Sequence, residues 1–502
     1  MTVEILDQFG QIIKSDKRHG AGRGLTPVRA RWDAVQTTDE NQRHWANADA
    51  LSAKAAANPA VRRTFRNRAR YEYQNNSYCQ GIVLSLANHV IGRGPRLQVS
   101  TPNSAVNRRI EYLFWRWTKR VRLASKLRTA WGAKAVDGES FIVKTQNSFP
   151  FDPIALDIAL IEADQIATPN FPLIQTGWVD GIEFDQYGNP AYYHQLLTHP
   201  GDTQAVQFIN KYDRVPAANV FHLFREDRPG QLRGIPEIAP ALPLFAMLRR
   251  FTLATIAAAE TAADFAAVMY TDASSTDEAE QLGEDQWFDA IPIEYRAMLT
   301  LPNGWKVGQL KAEHPTTTYD MFKRAILQEI TRCLNMPYNI AAGDSSAYNY
   351  SSGRLDHQTY FRSIEIAQSD LEDQVLDRLF LAWLVEASQI PNYLPDVPGL
   401  LDELPHQWFW DAVADIDPEK TANAGETQIK AGISHRAREY AYKGLDIDEE
   451  DAKAAEGYGV TVEEYRRALF TAHFVTPGAQ PAAQTQTQTQ DSNAGDNQNA
   501  AA

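Results

Sequence analysis

The sequence predicts a mixed α+β fold, helical toward both ends with short strands in the middle. Three observations carry this: helical spacing over residues 41–88 and 106–135, β-like runs between 137 and 224, and two amphipathic helices bracketing a polar loop between 316 and 389. With 502 residues and a hydrophobic content of 44%, the chain has room for a large core and is no disordered polymer.

Residues 1–40 scatter Lys14, Lys17, Arg18, Arg23, Arg29 and Arg31 among Gly and Ser and read as a mobile basic arm. The helical stretch 41–88 closes at 89–95, where Gly92, Gly94 and Pro95 force a turn before Arg96, Leu97, Gln98 and Val99. In 106–135, Trp115, Trp117 and Trp131 read as core anchors, since Leu113, Phe114, Leu123 and Leu127 surround them. Strands are expected at 140–143, 159–161 and 220–224, with a strand, turn and strand over 181–194. The segment 228–236 must bend twice, and Pro240 and Pro243 suit the entry to an alanine-rich helix starting near Leu244. Its small side chains fit a closely packed neighbour. Residues 272–289 are acidic and poor in apolar side chains, and a compact segment follows to Val307.

From Thr316, residues Phe322, Ile326, Ile330 and Leu334 form one apolar stripe that Pro337 ends, because proline lacks the N–H and disfavours a helical predecessor. Residues 337–353 are rich in turn formers and read as a loop. From Arg354, Ile364, Ala367, Leu371, Val375, Leu379 and Trp383 share a face over a helix of roughly 50 Å. A loop of that length with no core of its own points to a role outside its subunit. An acidic helical region covers 418–474, and the Gln/Thr/Asn-rich 476–502 reads as disordered.

Charge is segregated along the chain. Between Lys54 and Lys134, 17 Lys or Arg meet only Glu72 and Glu111, a surplus of +15 in a chain whose total is −14, so the remainder stands at −29. Arg62, Arg63, Arg66, Arg68 and Arg70 read either as a solvated helix face or as a patch for nucleic acid or a partner. Cys79 and Cys333 lie far apart in apolar periodic segments and read as core residues of a reducing compartment. The first ten residues lack the pattern of a secretory signal. No stretch of about twenty residues is free of charge, so no membrane span is expected; the alanine-rich helix comes nearest but holds Arg249, Arg250, Glu260 and Asp264.

Motifs for catalysis are missing. There is no phosphate-cradling Gly-x-x-x-x-Gly-Lys-Ser/Thr, no His-Glu-x-x-His and no Cys-x-x-Cys, so no nucleotide hydrolysis, metal or cofactor is expected. Gly343-Asp344-Ser345-Ser346-Ala347 follows a helix instead of a strand and lacks the second glycine of a nucleophile elbow. These absences favour a structural assembly protein over an enzyme.

Four segments occur in the order seen in the lambda-type portal proteins of tailed bacteriophages: Asn75-Asn76-Ser77-Tyr78 leading to 88–94, Pro229-Gly230-Gln231-Leu232-Arg233-Gly234-Ile235-Pro236, Asn349-Tyr350-Ser351-Ser352-Gly353-Arg354, and Asp415-Ile416-Asp417-Pro418-Glu419-Lys420. The chain resembles that family over about residues 40 to 475. The resemblance implies a ring, commonly of twelve subunits, at one capsid vertex, which admits double-stranded DNA driven by a separate terminase and later joins head to tail. It implies a β-rich wing (41–243), a stem helix (244–271), a small α/β clip (272–315), a second stem helix (316–336), a tunnel loop (337–353), a long helix returning to the wing (354–410) and a helical crown (411–475).

Its implied partners are other copies of the chain, terminase large subunit, major capsid and scaffold proteins and head–tail joining proteins, without a membrane. Asn339, Asp344, Ser345, Ser346, Tyr348 and Asn349 are expected to touch the duplex weakly. Tyr350 is expected on the adjacent subunit, Arg62 to Arg70 on the outer wing, and Asp285, Trp287 and Asp289 on the clip facing terminase. The alternatives are a cytosolic scaffold binding nucleic acid through residues 62–128, and a phage processing enzyme for which the sequence has no spare domain.

Overall fold

The computed structural model describes residues 43, 45–150, 152–168, 177–202, 211–264, 268–271, 305–308, 316–346, 349–395, 401–411 and 418–474. Residues 1–52 and 53–502 are separate units, and the second is described here. It opens with α1 (Ala53–Ala56), α2 (Pro59–Asn75) and α3 (Ser77–Ile91). Asn58 caps α2, its side-chain oxygen accepting from the N–H groups of Ala60 and Val61 at 3.1 Å each. Asn76 ends α2 and caps α3 through Tyr78 N–H, while its amide donates to the Phe245 carbonyl. One side chain therefore sets the corner between two helices and ties it to a third.

Gly92, at φ +53, ends α3 before β1 (Arg96–Val99). The helical run 106–135 divides into α4 (Ser104–Arg120) and α5 (Leu123–Asp137), because Arg122 takes φ +53. Trp117 and Trp131 are buried as expected, but Trp115 is exposed on the outer face of α4.

Small antiparallel sheets follow. β2 (Glu139–Gln146) is central between β3 (Leu156–Ile161) and β8 (Val220–Phe224). The second sheet orders β4 (Trp178–Val179), β5 (Ile182–Phe184), β6 (Pro190–Leu196) and β7 (Tyr212–Pro216) side by side. Phe141 and Val143 of β2 meet Ile182 and Tyr193 of the second sheet in one apolar cluster. Ile142 falls on the opposite face of the strand, in the main helical core.

The alanine-rich helix α6 is Leu242–Asp264, so it starts two residues earlier than expected, with Pro243 tolerated in its first turn. It also stops short of residue 271, because β9 (Val268–Thr271) pairs with β10 (Trp305–Gly308). Helix α7 (Thr316–Arg332) packs on α6: Phe251 stacks on Tyr319 at 5.7 Å and meets Phe322 at 4.6 Å. By length and composition alone α6 resembles a membrane span, yet its Arg249 pairs at 3.1 Å with the buried Glu72 of α2.

After α7 come α8 (Tyr338–Ala342) and α9 (Tyr350–Leu371), which runs through a π-turn (Glu372–Leu376) into α10 (Asp377–Ser388). Apolar steps of four residues overshoot an α-helical turn by about 40° each, and one wider turn resets the drift. Leu371, Val375, Leu379 and Trp383 consequently all reach the core. Glu372 in the π-turn and Asp377 at the start of α10 accept the indole N–H groups of Trp410 at 2.5 Å and Trp408 at 2.7 Å. Trp408 lies on β11 (His406–Phe409), which pairs with β1.

The last four helices are α11 (Pro418–Lys430), α12 (Arg436–Tyr442), α13 (Ile447–Tyr458) and α14 (Val462–Phe474). Buried Asp451 binds Arg436 at 2.6 Å and Arg466 at 2.8 Å, joining α12, α13 and α14. This module meets β1 where Gln98 donates to Asp446 at 2.9 Å and Arg96 to the Gly444 carbonyl at 3.2 Å. At the seam, Glu111 accepts the Val99 N–H at 2.7 Å. Burial pushes its carboxyl up to about 7, opposed by that N–H and helped by Asp446, Asp448 and Glu449.

Because the folded value lies above the ordinary 4.5, the contribution of this carboxyl is fully present below pH 4.5 and is lost as pH rises to about 7. Glu111→Gln keeps an acceptor without the charge. It is expected to raise stability above pH 7 by about 1 kcal/mol, discounted for partial exposure, and to change nothing in acid. Denaturation midpoints at both ends of that range check the sign.

Candidate functional site

The loop after α7 is partly a helix. Pro337 stands at the N-cap position of α8, and Gly343, at φ +65, ends it. Tyr338 and Ala341 are buried, Ile340 and Ala342 pack against the core, and the Arg324 guanidinium sits 4.9 Å over the Tyr338 ring. Residues 337–353 are thus not one structureless loop: α8 is anchored on α3 and α7, and from Tyr350 the chain already belongs to α9.

Asn339 is half-buried, and its amide donates to Nε2 of His357 at 2.9 Å, so it works as a brace. Asp344 follows Gly343 and closes an Asx turn, its carboxylate accepting the Ser346 N–H at 2.9 Å. The Ser346 hydroxyl and N–H hold that carboxyl below the usual range, so the tip is anionic near neutrality. Ser345, Ser346 and Asn349 are exposed. Tyr348, Asp285, Trp287 and Asp289 lie outside the described residues, as does the side chain of Tyr350. Residues 337–353 contain no Lys or Arg, so the loop itself has no cation to neutralise a phosphate.

The basic run on α2 is corrected by the structure. Arg62 and Arg66 are not on an outer surface: they are buried, with Arg70 half-buried, and all three bind carboxylates of the same subunit. Arg62 donates to Glu139 at 3.0 Å and to Asp180, and Arg66 to Asp164 at 2.7 Å. Arg70 grips Asp137 with two bonds of 2.7 Å and reaches Asp164 at 2.8 Å. Steps of four residues put the three on one helix face, which takes the place of an apolar stripe. Only Arg63 and Arg68 of the five are exposed.

Glu139 is the centre of this cluster. It also receives Arg233 at 2.7 and 2.8 Å, His222 at 3.1 Å and the Gly234 N–H at 3.0 Å. Burial alone would push its carboxyl up, but Arg233, His222 and Arg62 outweigh that and hold it well below the usual range. The 229–236 segment thereby acquires a physical role. Gln231 fixes the loop by accepting from Asp227 N–H and donating to the carbonyls of Arg225 and Arg233, which aims the Arg233 guanidinium at Glu139.

Glu162, Asp164 and His199 bring metal-ligand atoms within 4.8 Å of one another. Arg70 lies 3.2 Å from Glu162 and 2.8 Å from Asp164, so a guanidinium already supplies the counter-charge a metal would bring. The sequence reading missed Arg233 and Glu139; the signal available was a lone Glu directly after a helix-ending glycine.

The chain belongs to the lambda family of phage portal proteins, whose model (phage portal protein, lambda family) matches residues 38–368. It is 26% identical over 414 residues to a probable portal protein of Halomonas phage phiHAP-1, covering 77% of this chain and 78% of that one. Among solved structures it resembles a chain in the neck of a native GTA particle computed with C12 symmetry, at TM-score 0.42 and 13% identity, covering 77% of this chain and 94% of that one. A chain in the neck of an empty GTA particle computed with C6 symmetry gives TM-score 0.42 at 13% identity, covering 76% and 93%.

Proposed function

We propose that copies of this portal protein close a ring, commonly of twelve, at one vertex of a phage head, and that its bore passes double-stranded DNA during packaging and ejection. The observation that carries the reading is α6. Met247 is 62% exposed and Leu253 61%, with Ile256 also exposed, on a helix that packs against α2 and α7. Apolar side chains spaced along a helix of 23 residues fit a helix of the neighbouring copy. The 272–304 segment, entered and left through the β9–β10 pair, is assigned to the clip that meets terminase, with Asp285, Trp287 and Asp289 facing it. Arg63 and Arg68 are left to face capsid, scaffold or a neighbouring subunit.

Asp344, Ser345, Ser346, Tyr348 and Asn349 form the rim that meets DNA, with Asn339 bracing it. Each phosphate neutralised by a Lys or Arg adds affinity that translocation would have to break, and this rim has neither residue. Purified chain is expected to appear in negative stain as rings with a central hole; particles that stay single at high concentration overturn the reading. Replacing Asp344, Ser345 and Ser346 with Ala is expected to leave rings intact and lower packaged DNA per particle several-fold. Normal packaging in that variant removes the loop from the mechanism.

A further inference from the structure

Helix α4 carries a basic surface that, unlike that of α2, is paired with no carboxylate among the described residues. Arg108, Tyr112, Trp115, Arg116 and Lys119 recur at spacings of three and four and are exposed, opposite the buried Ile110, Leu113, Phe114 and Trp117. Tyr112 is 51% and Trp115 53% exposed, and their rings stack at 6.3 Å with an interplanar angle of 27°. The Arg116 guanidinium lies 6.0 Å over Tyr112 and the Lys119 ammonium 5.8 Å over Trp115. Among the described residues, no carboxylate pairs with Arg108, Arg116 or Lys119. Glu111, the one acid of α4, turns away to the Val99 N–H.

Tyr, Trp and Arg together are the residue types that carry binding energy when an interface covers them. Single-stranded nucleic acid would need open ring faces for its bases to stack on. Here each ring leans on the other and carries a cation, so the surface is better shaped for carboxylates set around a flat aromatic ledge.

We propose that this face of α4 docks on an acidic surface of a neighbouring copy of the chain, as the basic half of a head-to-tail contact. The inference rests on the ring reading above. A ring generated by one rotation requires two unlike, complementary patches on every subunit. This chain supplies the basic patch at the exposed Arg108, Arg116 and Lys119, on a subunit that is acidic as a whole at −14. Subunits of −14 each repel one another unless the basic patch of one meets the acidic surface of the next.

The test is the full chain carrying Arg108→Glu, Arg116→Glu and Lys119→Glu, beside a triple-Gln version. All three positions are exposed, so both variants should keep the wild-type circular dichroism and melting curve. Mass photometry and negative stain then read assembly. The concentration for half-assembly is expected to rise about 100-fold in the Glu variant and by less in the Gln variant, with wild-type assembly weakening as salt is added. Wild-type rings accompanied by equal rings in the Glu variant overturn the proposal. Intact variant rings that fail to enter heads, or that enter but no longer retain DNA, also overturn it, assigning the face to another head protein or to nucleic acid. A wild-type chain that forms no ring sinks the ring reading itself.

Discussion

Glu139→Gln is expected to destabilise the subunit by about 3 kcal/mol, because it removes the fully buried carboxylate on which Arg62 and Arg233 converge. Glu139 is fully buried, lies 3.0 Å from Arg62 and 2.7 Å from Arg233, and accepts the Gly234 N–H. Gln has nearly the same shape, so the loss is one of charge and not of packing. Asp180 lies against both Arg62 and Arg233, and Asp164 against Arg66, but these two carboxylates are partly exposed to water whereas Glu139 is not.

The pH dependence separates this from a generic core defect. The folded carboxyl is held well below the ordinary 4.5, so its stabilisation is present above pH 4.5 and is lost as pH falls through the folded value. Urea midpoints of wild type and variant should therefore differ most near neutrality and converge in strong acid. Equal midpoints at neutral pH would show that the cluster contributes nothing.

Elements that impose their own period were legible in the sequence. Ile364 to Trp383 announced the long helix, and Ser140 to Val143 and Val220 to Phe224 announced strands that pair with each other. What escaped depended on contacts distant in sequence. Helix α8 is five residues long, too short for a period to show, and forms because Tyr338 and Ala341 have a core to bury in. Pairing of β9 with β10 joins residues separated by the whole 272–304 segment, and nothing local specifies it.

Arg62 and Arg66 were misread for a related reason. Charged side chains are buried only when partnered, and their partners lie on β2 and in the loops around Asp164 and Asp180. The polar tip of the loop was readable from Gly343, Asp344 and the serines as turn formers. Asn339 was not, because its hydrogen bond to His357 lies eighteen residues away on α9.

Gly234→Ala is the second large effect expected, and Gly230→Ala in the same segment is its control. Gly230 has φ +78 and open space where a Cβ would stand, so alanine there meets only backbone strain, about 1–2 kcal/mol. At Gly234 the added Cβ would lie 2.0 Å from the Gly138 carbonyl oxygen and 2.6 Å from its carbon, both main-chain atoms. Gly138 cannot yield easily: its φ of +91 ends α5 and launches β2, and its own Cβ position is filled by Ile235 and Pro236. Two backbones crossing glycine on glycine must separate, which pulls Gly234 N–H from Glu139 and shifts Arg233 out of line with the carboxylate. The expected loss is about 3 kcal/mol or more, with a correspondingly larger fall in melting temperature than for Gly230→Ala. A Gly234→Ala subunit that melts with its control would mean that the 229–236 segment does not hold the cluster together, and that Arg233 finds Glu139 without it.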